Sequence, residues 1–185
     1  MLGIRRAHPG TVRVVGTTAV VAMLVAACGT TPPEERQSLP GAGTADVTVA
    51  PHGDMAHLSA VRLAPRAGND RLVMEFTDRV PGYTVGYVDL PARADASGAE
   101  IPLPEARAVV QITLNPATWN GWGGGVRTYT GPADVKGPGT SAVTEAKAAG
   151  DFEAVLTWVV GLRGKVPFRV QAFDTPPSLV IDFQS

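Results

Sequence analysis

The chain of 185 residues carries 16 Lys and Arg against 17 Asp and Glu, a formal net charge of −1, so it lacks the basic excess that nucleic-acid binding requires. Its single cysteine excludes an internal disulfide. The 21 glycines and 16 prolines demand many turns and argue against a helical bundle.

Arg5, Arg6 and Arg13 give the start of the chain a positive charge, and Val14 to Ala27 follow without a charged residue. This is the charged and then apolar order of a secretory signal. Fourteen helical residues would span about 21 Å, short of the roughly 30 Å hydrocarbon core, so a permanent membrane span is not expected. Val25-Ala26-Ala27-Cys28 places small residues just before the cysteine and resembles the lipobox of bacterial lipoproteins. The expectation is a signal peptide over residues 1–27 and a diacylglyceryl group on Cys28. Arg5-Arg6 is compatible with twin-arginine export, although the general secretion route fits the surrounding pattern better. Without Arg5, Arg6 and Arg13 the chain keeps 13 basic and 17 acidic residues, a net of −4.

Residues 28–56 are dominated by Pro, Gly, Thr, Ser and charge, which cannot offset their own ordering entropy. They are expected to form a flexible tether reaching roughly 30 Å. From His57 onward, period-two alternation sets in, and residues 57–185 are expected to fold. Leu72, Met74 and Phe76 share one strand face, as do Ala108, Val110, Ile112 and Leu114. Phe152 to Leu162 reads as one long run with Trp158 in its core face. Val166 to Ala172 and Leu179 to Phe183 complete the set. Tyr83 and Tyr87 share a face by the same spacing. Turn residues separate the runs at Ala67-Gly68-Asn69-Asp70, Pro81-Gly82, Gly161 to Lys165 and Asp174 to Pro177. Strands with one apolar face must pack sheet on sheet. The expected fold is all-β: a small β-sandwich of two packed, mainly antiparallel sheets with at most a short helix. That helix could start at Asn115-Pro116. Ser141 to Ala149 is compatible with helix or strand.

Catalytic chemistry finds little support. The two histidines after Cys28, His52 and His57, fall in or beside the expected tether, away from the sheet interior, and no G-x-S-x-G elbow or P-loop is present. His52, Asp54 and His57 are close in sequence, but a tether would not fix them as metal ligands, so no metal and no cofactor are expected. Asp70, Glu75, Asp78, Asp89, Asp151 and Glu153 supply carboxylates, and no pair among them stands out for glycoside hydrolysis. The Gly-rich stretch Trp119-Asn120-Gly121-Trp122-Gly123-Gly124-Gly125, with Tyr129 after it, is unusual. Two readings are open: an aromatic patch that stacks on sugar rings, with Trp119, Trp122 and Tyr129 as its surface, or a loop whose tryptophan closes the end of the sandwich.

Asn69-Asp70-Arg71-Leu72-Val73-Met74-Glu75-Phe76, Pro81-Gly82-Tyr83-Thr84-Val85-Gly86-Tyr87, Gly150 to Leu156, Pro167-Phe168-Arg169-Val170 and Pro177 to Phe183 occur in an order and spacing similar to the AMIN-like domain of actinobacterial lipoproteins. The resemblance runs from about Leu58 to Gln184. It implies a β-sandwich that binds or targets the cell envelope, because the related AMIN domain accompanies periplasmic cell-wall amidases and secretin-type proteins and is linked to peptidoglycan. No amidase domain follows Phe183, so enzymatic activity is not expected. The implied partners are a lipid anchor in the membrane and peptidoglycan or a wall glycan. The alternative is an accessory lipoprotein that binds another envelope protein through a sheet edge or a loop face. Nucleic acid is not an expected partner. Within the matching motifs, Asp70 and Arg71 are expected to pin a strand start, and Asp182 to pair with an arginine such as Arg169.

Overall fold

The computed structural model describes residues 38–121 and 125–185. Among these residues there is no helix, and the regular structure is all strand. In chain order the strands are β1 (Val47–Val49), β2 (Ala56–Arg66), β3 (Asn69–Phe76), β4 (Gly82–Val88), β5 (Ala108–Asn115), β6 (Ala117–Thr118), β7 (Asp134–Val135), β8 (Val143–Phe152), β9 (Val155–Leu162), β10 (Phe168–Asp174) and β11 (Pro177–Gln184). They form two sheets, ordered β1-β4-β5-β9-β8-β7 and β10-β11-β3-β2-β6. All neighbours are antiparallel except the short β2–β6 pair. The expected sandwich of two mainly antiparallel sheets is the observed architecture.

The core lies between the sheets. Leu72, Met74 and Phe76 of β3 and Leu179, Ile181 and Phe183 of β11 meet Ile112, Leu114, Leu156, Trp158 and Val160 of the facing sheet. Trp158, Phe183 and Ile181 have no exposed surface. Arg36–Ser185 is one compact unit with this core of its own, which is what autonomous folding requires.

Three features depart from the expected elements. Part of the expected tether is folded: β1 pairs with β4, and Gly43 exchanges backbone hydrogen bonds of 3.0 and 2.8 Å with Phe168. The edges of β4 and β10 supply the backbone partners that the polar composition of this segment concealed. Gly82 makes room for it, since a side chain there would stand 2.5 Å from the Pro51 Cα. Second, Asn115-Pro116 does not start a helix. Asn115 ends β5, and the chain crosses to the other sheet, where β6 pairs in parallel with Ala56 and His57. Third, the run from Phe152 to Leu162 is broken by a turn at Glu153 and Ala154, whose φ angles are 49° and 65°. This leaves Phe152 on β8, where it is 56% exposed instead of sharing the face of Trp158. The ambiguous segment Ser141 to Ala149 feeds into strand β8.

The two outer faces differ. On the six-stranded sheet, the β4–β5 connection lays Ala92, Ile101, Leu103 and Ala106 over Val109, Ala149 and Val159, forming a second small apolar cluster. On the five-stranded sheet, edge strand β10 and its neighbours β11 and β3 carry Arg169, Asp182 and Arg71 on the outer side.

Candidate functional site

Register alone brings Asp182 between two arginines: its Cα partner is Arg169 on β10 and Arg71 on β3. The carboxylate is 1% exposed. Its Oδ1 accepts from Asn69 Nδ2 at 2.9 Å and Arg71 Nε at 2.6 Å. Its Oδ2 accepts from Arg71 Nη2 at 2.9 Å and Arg169 Nη2 at 2.8 Å. Burial pushes this carboxyl upward, but the hydrogen bonds and charges of the two arginines outweigh it and hold the group below the usual carboxylate range. The hydrogen bond to Asp182 correspondingly raises the Arg71 guanidinium. A carboxylate has roughly four acceptor positions, and all four are filled. The cluster therefore fixes three strands and has no lone pair left for a proton or a ligand.

Asp70 is also 1% exposed, but it points the other way, into the gap between the sheets. Its Oδ2 accepts from the backbone N–H groups of Ser141, Ala142 and Val143 at 2.9, 2.6 and 2.9 Å. Asp70 thus ties the start of β3 to the start of β8 on the opposite sheet. The expectation from the sequence concerns the start of its own strand; the hydrogen bonds of Asp70 go instead to the start of β8.

The aromatic stretch stands on Asp151 of β8. Asp151 Oδ2 accepts from the Thr118 hydroxyl at 2.7 Å, the Trp119 N–H at 3.1 Å and the Asn120 amide at 3.0 Å. Asn120 then bridges Arg127 across the loop. Trp119 is half-buried against the core, with the Arg127 guanidinium 5.0 Å from its ring centroid. Tyr129 is 4% exposed and meets Trp158 edge to face at 5.6 Å, while its hydroxyl donates to Pro132 O at 2.7 Å. Burial pushes its phenol up. Tyr129 closes the sandwich and offers no face to a sugar, so of the two open readings the aromatic patch would have to do without it. Of that patch, Trp119 retains a partly open ring. Trp122 and Cys28 lie outside the described residues.

His57 corrects a further expectation. It is 2% exposed and lies in β2, not beside a tether. Its backbone N–H donates to Asp78 Oδ1 at 3.1 Å, and its ring Nδ1 lies 2.9 Å from Asp78 Oδ2. Burial pushes the Asp78 carboxyl up, but the bonds from His57 and the Arg79 N–H prevail and hold it below its ordinary range. Among the described residues, no three His, Cys, Asp or Glu side chains gather as metal ligands.

One end of the sandwich, here the basal end, collects the end of β2, the start of β3, the end of β4, the start of β5 and the β9–β10 connection. It carries two open clefts that share Lys165. One, of about 360 Å³, runs between Ser141, Arg163, Pro167 and Ser185. The other, of about 440 Å³, lies between Tyr87, Leu90 and Arg107. The Tyr87 hydroxyl donates to Val166 O at 2.6 Å, and Lys165 Nζ lies 4.8 Å from the Tyr87 ring centroid. No sequence signal marks these clefts, because their cations come from different connections.

The fold and its internally bonded polar clusters define a two-sheet β-sandwich domain. The chain belongs to the AMIN-like domain family, whose model matches residues 56–185. No curated protein matches the chain. No helix among the described residues is long and apolar enough to cross a membrane.

Proposed function

We propose that the protein is a membrane-anchored extracytoplasmic lipoprotein whose sandwich acts, without enzymatic activity, as a cell-envelope binding or targeting module for peptidoglycan or a wall glycan. The observation that carries this reading is the AMIN-like match over residues 56–185. Cys28, placed after the apolar run Val14 to Ala27, supports the anchor. The filled acceptor positions of Asp182 assign that buried acid to the framework of the sheet and not to a reaction.

The test is co-sedimentation of the unit Arg36–Ser185 with purified sacculi. Binding that saturates supports the reading, and its absence rejects the wall as ligand. Trp119→Ala then probes the aromatic loop, because the ring is partly open while Tyr129 is closed off.

A second reading, an accessory lipoprotein that binds another envelope protein, draws on the β10 edge of the five-stranded sheet beyond Phe168, where Gly43 pairs. Strand β10 has one sheet neighbour, and Phe173 on it is 45% exposed. A strand edge with an exposed aromatic is suited to strand addition. A defined protein crosslinked to β10 in cells, together with no sacculus binding, would favour this second reading.

A further inference from the structure

The basal end is basic although the chain after Cys28 is net acidic. Arg66 at the tip of the β2–β3 hairpin, Arg107 before β5, and Arg163 and Lys165 after β9 are all exposed there. The acidic side chains around the clefts are Asp89 and Glu105, and Glu105 is occupied by Arg163 at 2.8 Å. Among the described residues, Arg66, Arg107 and Lys165 have no ion-pair partner. Beside these cations, Val88 and Leu90 are 37% and 44% exposed. Cations next to exposed aliphatic side chains match a lipid interface, where charged heads meet phosphates and short apolar groups enter the boundary.

The path of the chain supports the same partner. The described chain begins at Ser38, which lines a small cavity together with Ala67, Gly68 and Asn69. The Gly68 carbonyl accepts from the Ser185 N–H at 3.2 Å, and Ser185 borders the cleft of Arg163 and Lys165. The chain therefore enters at the basal end. Ser38 is ten positions after Cys28, a separation that cannot stretch beyond about 35 Å. An eight-residue strand already spans about 26 Å, so presenting the opposite end to the lipid would need that stretch nearly fully extended, whereas the basal end needs no extension.

We infer that the basal end is a membrane-docking surface, in which Arg66, Arg107 and Lys165 engage the phosphates of anionic lipid headgroups while Val88 and Leu90 rest at the interface. The inference rests on the lipoprotein reading for the direction of the anchor. The docking itself needs no acyl chain, so the two can fail separately. Each Lys or Arg near an anionic surface strengthens attachment, and the effect fades with ionic strength.

The unit Arg36–Ser185, which lacks Cys28, is sedimented with vesicles of phosphatidylcholine alone and of phosphatidylcholine mixed with phosphatidylglycerol. The expected result is binding to the anionic vesicles only, weakened by salt, and weakened about tenfold or more by Arg107→Glu with Lys165→Glu. Arg79→Glu, at the opposite end, should bind like the parent. If the double variant fails to fold by circular dichroism, Arg107→Gln with Lys165→Gln gives the same comparison without charge reversal. Equal binding to both vesicle types, undiminished binding by the double variant, or retention on sacculi with none on vesicles would each overturn the docking surface. Detergent partitioning of the full chain tests the Cys28 anchor independently.

Discussion

The Arg71 guanidinium grips the Asp182 carboxylate with two hydrogen bonds, Nε to Oδ1 at 2.6 Å and Nη2 to Oδ2 at 2.9 Å, across the β3–β11 pair. Arg169 approaches the same carboxylate from β10, so one buried acid holds three strands of the five-stranded sheet in register. A one-residue slip of β11 would swap its faces and bring Ile181 or Phe183 opposite the arginines. The cluster therefore specifies register as well as contributing to stability.

Replacing Asp182 by Ala leaves two partly buried guanidinium groups facing each other without their anion. Removing one partner of a buried pair is strongly destabilising, and the partial exposure of both arginines moderates the loss, so a cost of about 2–3 kcal/mol is expected. Urea unfolding monitored by tryptophan fluorescence measures it. A loss below about 0.5 kcal/mol, the usual range for surface substitutions, would show the cluster to be dispensable.

The same carboxylate sets a pH dependence. Asp182 and Asp78 are both held below the ordinary carboxylate value of about 3.9. The unfolded chain then binds more protons than the native one in acid, so stability rises with pH in that range. Their contribution is fully present above the unfolded value and is lost as pH falls through the lower folded values. Unfolding midpoints between pH 6 and pH 2, approximate bounds chosen to bracket that ordinary value, should drop mainly below about pH 4. Asp182→Asn should flatten part of that drop. An unchanged slope in this variant would assign the acid sensitivity to other groups.

Asp70→Ala would leave the N–H groups of Ser141, Ala142 and Val143 without their acceptor at the start of β8. Each buried donor left unsatisfied costs about 1–3 kcal/mol, although water can reach Ser141, so a loss of about 3 kcal/mol is expected. Hydrogen exchange resolves the mechanism, because these three amides should lose protection before the rest of β8. Uniform loss across the strand would indicate global destabilisation alone.

Much of the sandwich was legible in the sequence because β3, β5 and β11 alternate without interruption, so period two exposes their faces directly. The hidden strands are those whose period breaks. In β2 the register shifts between Leu58 and Ala60, which moves the inward set from Ala56 and Leu58 to Val61 and Leu63. This shift also obscured that His57 belongs to a buried strand. In β8 two shifts, between Val143 and Glu145 and between Ala148 and Gly150, leave a sequence that reads equally as helix. The outward side of Asp182 followed from strand position, whereas both arginine partners depend on the order β10-β11-β3. The basal cations were illegible for a different reason: Arg66, Arg107 and Lys165 meet only through tertiary structure.

The β8–β9 turn was hidden by its residues. Glu153 and Ala154 both have positive φ, a pair of positions that hairpins usually fill with Asn-Gly or Asp-Gly. Ala154→Gly removes the Cβ clash of the left-handed conformation, worth about 1 kcal/mol, although added freedom in the unfolded chain offsets part of it. A modest gain in thermal midpoint is expected from calorimetry. A loss would show that the entropy of the unfolded chain dominates at this turn.

Cys28 supplies the last prediction, and it separates location from folding. A diacylglyceryl group brings two acyl chains, each buried methylene contributing about 0.8 kcal/mol, so its loss should abolish stable anchoring where a single chain would hold only marginally. Cys28 is outside the compact unit Arg36–Ser185, so its substitution should not touch the core. Cys28→Ser in the full chain is therefore expected to move the protein from the detergent phase to the aqueous phase while leaving the unfolding midpoint of the sandwich unchanged. Detergent-phase partitioning that persists in this variant would reject lipidation at Cys28 and with it the lipoprotein reading. The vesicle binding of Arg36–Ser185 would still stand or fall on its own cations, because that unit never carried the acyl chains.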